Sequence, residues 1–333
     1  MIFLLFPLTF PFLTPSSTSY EGTGRSLSLK LLQQLREQSA SARADANSAA
    51  ATSVSNAITG RALREIKLDE PIRYAPGDPV ERWLNELLCL DATTVPRSLT
   101  GCPHPDECQL FYVDRDTLFS YHPAAEVFLQ RMVALYVASH YKNSPNDLQL
   151  LSDAPAHNLF VLLPPVGSLP AGQLPEILAV VQVALEGEIS KESVMSSFVR
   201  GQRASGDLIP WTISQQYQDS DFASLSGGRV VRIATHPDYQ KMGYGTRALD
   251  LLRDYYNGKM LSLAEPTDKK KKKKKEEAGS DEDGASLLTE TIQPRKNLPP
   301  LLLELSERPP ERLHYLGVSF GITQQLHKYE WNW

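Results

Sequence analysis

An apolar, β-branched run, Arg229-Val-Val-Arg-Ile-Ala-Thr235, is followed after only His236-Pro-Asp-Tyr239 by Gln240-Lys241-Met242-Gly243-Tyr244-Gly245-Thr246. The helical pattern Arg247-Ala-Leu-Asp-Leu-Leu-Arg-Asp-Tyr-Tyr256 comes next. This order constrains the chain more than any other feature. A buried strand needs a sheet, and a helix entered through a glycine-spaced turn packs back onto that sheet. The first N–H groups of such a helix have no acceptor within the helix. Gly243 and Gly245 carry no Cβ, so an anion can approach the main chain there. The stretch therefore predicts an α/β fold with a diphosphate-type anion site at a helix N-terminus.

The Gln-x-x-Gly-x-Gly spacing resembles that of acetyl-CoA-dependent acetyltransferases. In that layout Gln240, Lys241, Met242, Gly243, Tyr244, Gly245 and Thr246 face the diphosphate. Ile233, Ala234 and Thr235 offer backbone groups to the pantetheine amides, in the manner of an added strand. The thioester then lies near the strand end, beside His236. A dinucleotide-binding turn is the competing reading, since Ala248 fits the third small position of Gly-x-Gly-x-x-Gly/Ala. No acidic residue at the end of a following strand supports a ribose contact, which disfavours it.

The chain has 333 residues, 41% hydrophobic and 22% charged, which suits a soluble globular protein of one large or two smaller domains. Its net charge is −5. Without the seven lysines of 269–275, the basic residues fall from 34 to 27 against 39 acidic ones, a balance of −12. Nucleic-acid contact would therefore come from a local patch, not from a global basic field. Three cysteines, Cys89, Cys102 and Cys108, build no disulfide framework and suit a reducing compartment. Cys102, His104 and Cys108 lack the Cys-x-x-Cys pairing of zinc sites and sit among prolines. The expectation there is a plain loop and no metal.

Residues 1–14 are apolar but lack a basic leader and are interrupted by Pro7 and Pro11. They are too short to span a bilayer as a helix. They read as a buried strand of a domain whose beginning is missing, or as an aberrant start, with a signal peptide as the alternative. Residues 26–37 have helical periodicity. Residues 38–60, mostly Ser, Ala, Thr and Asn, read as a linker. Helices are expected over 79–90, 124–140 and 246–256, with a further one opening at Thr323. Strands are expected at 110–113, 158–163, 177–185, 229–235 and 313–320. A turn is expected at 141–147 and irregular structure over 186–228. Residues 264–285, seven lysines followed by an acidic stretch, read as a solvated loop insertion or a nuclear-targeting or nucleic-acid tether.

Longer stretches carry a closer resemblance. These are Tyr20-Glu-Gly-Thr-Gly-Arg-Ser-Leu-Ser-Leu-Lys30, Ile72-Arg-Tyr-Ala-Pro-Gly-Asp78, Tyr136-Val-Ala-Ser-His-Tyr-Lys-Asn-Ser-Pro-Asn-Asp147, Ser205-Gly-Asp-Leu-Ile-Pro-Trp211 and Gly227-Gly-Arg-Val-Val-Arg-Ile-Ala-Thr-His-Pro-Asp-Tyr239. Together they resemble the RNA cytidine acetyltransferases, most closely the eukaryotic type. The resemblance implies a GNAT-type fold, a mixed central sheet flanked by helices, preceded by the tail of a helicase-like ATPase module. It implies transfer of acetyl from acetyl-CoA to the N4 amine of cytidine in rRNA and tRNA, in the nucleus and nucleolus. RNA adaptor proteins or small nucleolar RNA are implied as helpers, and no membrane. Arg25 looks like an ATP-contacting position, with ATP used only by the full-length family member because the Walker A part is absent here.

The implied division is a helicase-like remnant at 1–37, a linker at 38–62, an acetyltransferase domain at 63–328 and a divergent end at 329–333. The family continues past Lys328 with a Phe-Trp-Lys-Arg-Ala-Gly-Phe type segment that contributes an acetyl-CoA-contacting arginine. Tyr-Glu-Trp-Asn-Trp stands here instead, so the expectation is an internal fragment, truncated at its C-terminal end. A non-catalytic acetyl-CoA- or RNA-binding remnant and a protein N-acetyltransferase are the alternative functions.

The cytidine amine is a weak nucleophile because its lone pair is delocalised into the ring. Its acetylation needs positioning and late proton removal. His236 and His140 are the base candidates, chosen for their near-neutral ordinary pKa, with a structural role as the alternative for each. Tyr141, Lys142, Lys191, Arg200 and Arg203 are candidate RNA contacts, the last three in what reads as a solvated loop.

Overall fold

Six strands form the sheet: β1 (Gln109–Val113), β2 (His157–Leu163), β3 (Ala179–Gly187), β4 (Ser226–Thr235), β5 (Leu302–Glu304) and β6 (Tyr315–Val318). In this computed structural model their order is β5-β1-β2-β3-β4-β6. β1 is antiparallel to β2 and β5, β2 is antiparallel to β3, and β4 is parallel to β6. This is the mixed sheet expected of the α/β class. The residues described are 35–37, 72–90, 92, 101–139, 145–165, 174–201, 206–261, 298–321 and 324. The apolar start, Arg25, the 38–62 linker, His140 with Tyr141 and Lys142, Arg203, the 264–285 insertion and the last five residues lie outside them.

The chain divides into two compact units. One comprises Met1–Ser98, Gln130–Ala154 and Ala234–Asp238, the other Leu99–Leu129, Pro155–Ile233 and Tyr239–Trp333. The first contains helix α1 (Pro79–Leu87), capped by Asp78, whose carboxylate accepts the Val80 N–H at 2.8 Å. Helix α2 (Arg115–Leu118) is a single turn in the second unit. Helix α3 (Pro123–Ser139) buries Met132, Leu135 and Tyr136 in its later turns. Helix α4 (Pro145–Asp153) begins where a turn was expected. Proline at the first helical position lacks only an N–H that no helical acceptor would have met, so Pro145 starts this helix instead of breaking one.

The second unit's core explains the strand order. Phe160, Leu162, Val181 and Val183 on the central strands are fully buried, as are the alternate residues Val161 and Val180. Both faces of β2 and β3 are thus covered, which is why their sequences read as unbroken apolar runs. Gln182 is the polar residue in the middle of β3, and it bonds the His157 ring at 2.8 Å. Helix α7 (Tyr244–Tyr256) packs on this core through Tyr244, Ala248, Leu249, Leu252 and Tyr255. That spacing is one helical stripe, and burying each large member contributes about 1.5–3 kcal/mol.

The expectation of irregular structure over 186–228 is overturned. Helices α5 (Lys191–Arg200) and α6 (Leu208–Tyr217) lie there. Lys191 and Arg200 therefore belong to a helix, not to an irregular loop, and Lys191 pairs with Asp221. α5 is capped by Ser190, whose hydroxyl accepts the Ser193 N–H, and ends at Gly201 in the left-handed region. α6 is capped from a distance. Glu186, at the end of β3, accepts the N–H groups of Leu208 at 2.9 Å and Ile209 at 3.4 Å and pairs with Arg229 of β4 at 3.1 Å. Asp207 in turn accepts the Gly187 N–H at 3.0 Å. Glu186→Gln should leave the half-buried Arg229 without its counter-charge and lower stability by about 3 kcal/mol. Urea unfolding checks this, and a loss under about 0.5 kcal/mol would contradict the role.

β5 was not expected. It is three residues long and pairs Leu302, Leu303 and Glu304 with Val113, Tyr112 and Phe111. The chain after it is clamped by Arg308, which forms a two-armed ion pair with Glu311, bonds the Tyr255 hydroxyl at 2.6 Å and lies 4.3 Å over the Tyr112 ring. Asn158 donates to the same Glu311 carboxylate at 3.1 Å. Burial pushes the Glu311 pKa up, but its bond to Arg308 and the further hydrogen bonds win and hold it below the ordinary value. A depressed carboxylate stabilises above its unfolded pKa, and that contribution is lost as pH falls through the folded one. Glu311→Gln should therefore be less stable than the parent at neutral pH, with the gap closing in acid. Denaturant midpoints that differ equally at all pH values would refute the assignment.

Candidate functional site

β4 is ten residues long, and the four residues of β6 pair only with Gly227–Val230. The five residues after Val230 extend past β6 and include Ile233, Ala234 and Thr235. A short 3-10 turn, Pro237–Tyr239, follows, and then the glycine turn. Gln240, Lys241, Met242 and Gly243 are exposed, Tyr244 is buried, Gly245 is half-buried and Thr246 is exposed. Lys241 has φ +65° and Gly243 φ +92°. A Cβ on Gly243 would meet nothing closer than Pro105 Cγ at 3.5 Å, so backbone conformation and not space requires glycine there.

Gly243 is the cap residue of α7 and provides no side-chain acceptor. The first backbone bond of the helix runs from Arg247 N–H to Gly243 O at 2.9 Å. The amides of Tyr244, Gly245 and Thr246 thus precede the first helical hydrogen bond and lie at the positive end of the helix. The turn is braced by the loop before β1. Tyr244 donates its hydroxyl to the Pro103 carbonyl at 2.7 Å, and Arg247 donates to the Asp106 carbonyl at 3.0 Å. Burial pushes the Tyr244 phenol up to about 12, which keeps it protonated as that donor.

The same loop contains the cysteines weighed for a metal. Cys102 is exposed and Cys108 is buried. Burial pushes the Cys108 thiol up to about 11, so it is not a thiolate at neutral pH. His104 turns its Nδ1 to its own loop, accepting the Asp106 N–H at 3.4 Å. Among the described residues no group of three His, Cys, Asp or Glu is arranged to hold a metal ion.

His236 is fully buried. Its Nδ1 accepts the Asp238 N–H at 3.2 Å, so the neutral tautomer that fits this bond bears its proton on Nε2. In that state the imidazole is a donor at Nε2. His140, the other base candidate, lies outside the described residues.

Residues 131–333 match the family model GNAT acetyltransferase 2. Residues 8–91 match RNA cytidine acetyltransferase NAT10/TcmA, helicase domain. The RNA cytidine acetyltransferase of Achlya ambisexualis is 59% identical over 309 residues, which cover 90% of this chain and 80% of that protein. The chain belongs to the RNA cytidine acetyltransferase family.

The RNA cytidine acetyltransferases of Dictyostelium discoideum and Homo sapiens are 61% and 60% identical over 96% of the chain. The chain spans about a third of the length of each, 31%. The helicase-domain match extends beyond the expected remnant at 1–37 and takes in α1. A solved ribosomal-protein-alanine N-acetyltransferase of Brucella melitensis biovar Abortus 2308 covers 56% of this chain and 98% of that one at 14% identity. Its TM-score of 0.21 is too low to bear on the fold.

A GNAT domain implies acetyl-CoA. Two observations suit that group. The turn has the left-handed glycine and uncapped helix start that a diphosphate needs, and the buried Nε of Arg247 beside it has no hydrogen-bond partner in the protein. Sequence reading located the turn but missed its brace, because Tyr244 and Arg247 meet partners 141 residues away.

Proposed function

We propose that this chain supplies the acetyl-CoA-binding part of an enzyme that acetylates the N4 amine of cytidine in rRNA and tRNA. Supporting this reading is the combination of family membership with the uncapped, glycine-entered start of α7. Acetyl-CoA, when bound, supplies the thioester whose acetyl group is transferred. The amides of Tyr244, Gly245 and Thr246 hold its diphosphate, with Gln240, Lys241, Met242 and Gly243 shaping the turn. A charged acceptor on neutral amides makes the stronger class of hydrogen bond. Ile233, Ala234 and Thr235 offer main-chain groups to the pantetheine arm.

With its Nδ1 engaged by Asp238, His236 is suited to orienting the strand end and not to accepting the cytidine proton. His140 is our assignment for the base, on its sequence context alone. Arg25 belongs to an ATP site of the longer relatives. The lysine run of 269–275 supports nuclear and nucleolar residence. RNA adaptors or a small nucleolar RNA would select the target, since the acidic balance of the chain supplies no broad RNA-binding field.

The test joins calorimetry with product analysis. The chain is incubated with labelled acetyl-CoA and with rRNA or tRNA, and nucleosides are resolved after digestion. Label on cytidine is expected. Binding without transfer would favour the non-catalytic reading, and label on peptides but never on cytidine would refute the RNA assignment.

A further inference from the structure

We infer that Arg247 is a phosphate-binding residue of the coenzyme A site, an assignment that rests on the acetyl-CoA reading above. Arg247 is the fourth residue of α7. Helical side chains lean toward the N-terminus, so its guanidinium runs back alongside the first turn and its outward amides. Residues three apart share a helix face. Tyr244 and Arg247 accordingly both reach the 103–106 loop, at the Pro103 and Asp106 carbonyls.

A guanidinium has five N–H donors in one plane and no acceptor. Tethering the loop uses one of them, Nη2 to Asp106 O at 3.0 Å. The Nε is buried without a hydrogen-bond partner in the protein. Among the described residues Arg247 also forms no ion pair. The carboxylates on its own helix are engaged elsewhere, Asp250 by Arg253 at 2.8 Å and Asp254 by Lys259 at 2.7 Å. A glutamine or lysine could hold one carbonyl equally well. Here a fixed cation without a direct ion pair among the described residues, and with a spare planar fork, stands beside a row of helix-end amides, and that arrangement matches a phosphate.

The experiment is calorimetric titration of the full chain with acetyl-CoA and with 3′-dephospho-acetyl-CoA, for the parent and for Arg247→Gln. The glutamine keeps a donor for Asp106 and removes the charge. Weakening by about tenfold is expected for acetyl-CoA, the scale of one lost charge-assisted contact. If the weakening disappears with the dephospho ligand, Arg247 holds the 3′-phosphate. If it is equal for both ligands, Arg247 holds the diphosphate. Either result supports the assignment.

Should Arg247→Gln fail to fold by thermal denaturation, Arg247→Lys keeps the charge but loses the fork, and a smaller weakening is expected. Affinity within about twofold of the parent for both ligands, in every folded variant, overturns the assignment alone. Absence of binding by the parent, or binding indifferent to Gly245→Glu, overturns the acetyl-CoA reading and this one with it.

Discussion

Gly245→Glu is expected to abolish acetyl-CoA binding while the chain stays folded. Gly245 is the second residue of α7 and only half-buried. For the fold the change is favourable on two counts. Glutamate is a better helix former than glycine, by roughly 0.5–1 kcal/mol. A negative charge in the first turn also gains about 0.3–1 kcal/mol from the helix dipole. The same charge occupies the place of the diphosphate and repels it. Affinity should fall by at least ~100-fold, the loss of several charge-assisted contacts together. Calorimetry reads the affinity and a thermal melt reads the fold. Unchanged binding in a folded variant would mean that the anion sits elsewhere.

Gly187→Ala should be the most destabilising small substitution in the sheet. Gly187 ends β3 at φ +100°, and a Cβ there would stand 2.0 Å from the Leu225 carbonyl oxygen. That oxygen already accepts the Glu188 N–H at 3.0 Å, and the Ile189 N–H bonds Ala223 O at 2.9 Å. The neighbour is backbone held in place by hydrogen bonds, so it cannot swing aside as a side chain would. Strain at a left-handed position and displacement of the β3–β4 junction together should cost on the order of 3–5 kcal/mol. Gly201→Ala is the control. It too has a left-handed φ, +61°, but nothing lies within 4 Å of its built Cβ. It should lose only about 1 kcal/mol. Equal losses in urea unfolding would show that φ alone, and not the close approach, governs Gly187.

The glycine turn, the central strands and the amphipathic α7 were legible because their causes are local. Val180, Val181 and Val183 announce a strand buried on both faces, and Gly243 with Gly245 announce a turn and a helix start. The start of α4 was misread because Pro145-Asn146-Asp147 satisfies turn chemistry and a helix N-terminus equally. α6 was misread for a different reason. Gly206, Asp207 and Pro210 look like loop residues, and the group that caps the helix, Glu186, is contributed by another strand. β5 is too short to carry a pattern and exists through its pairing with β1.

By itself the sequence determined the α/β class, the strand–turn–helix order and the residues of the glycine turn. Each follows from periodicity and backbone freedom within a dozen neighbours, which a linear reading can see. The tertiary structure alone decided the brace from Pro103 and Asp106, the position of Arg247, the capping of α6 and the state of His236. The first three need partners distant along the chain. The last turns on one hydrogen bond whose direction depends on how the backbone folds around a buried ring, and no residue spacing encodes that.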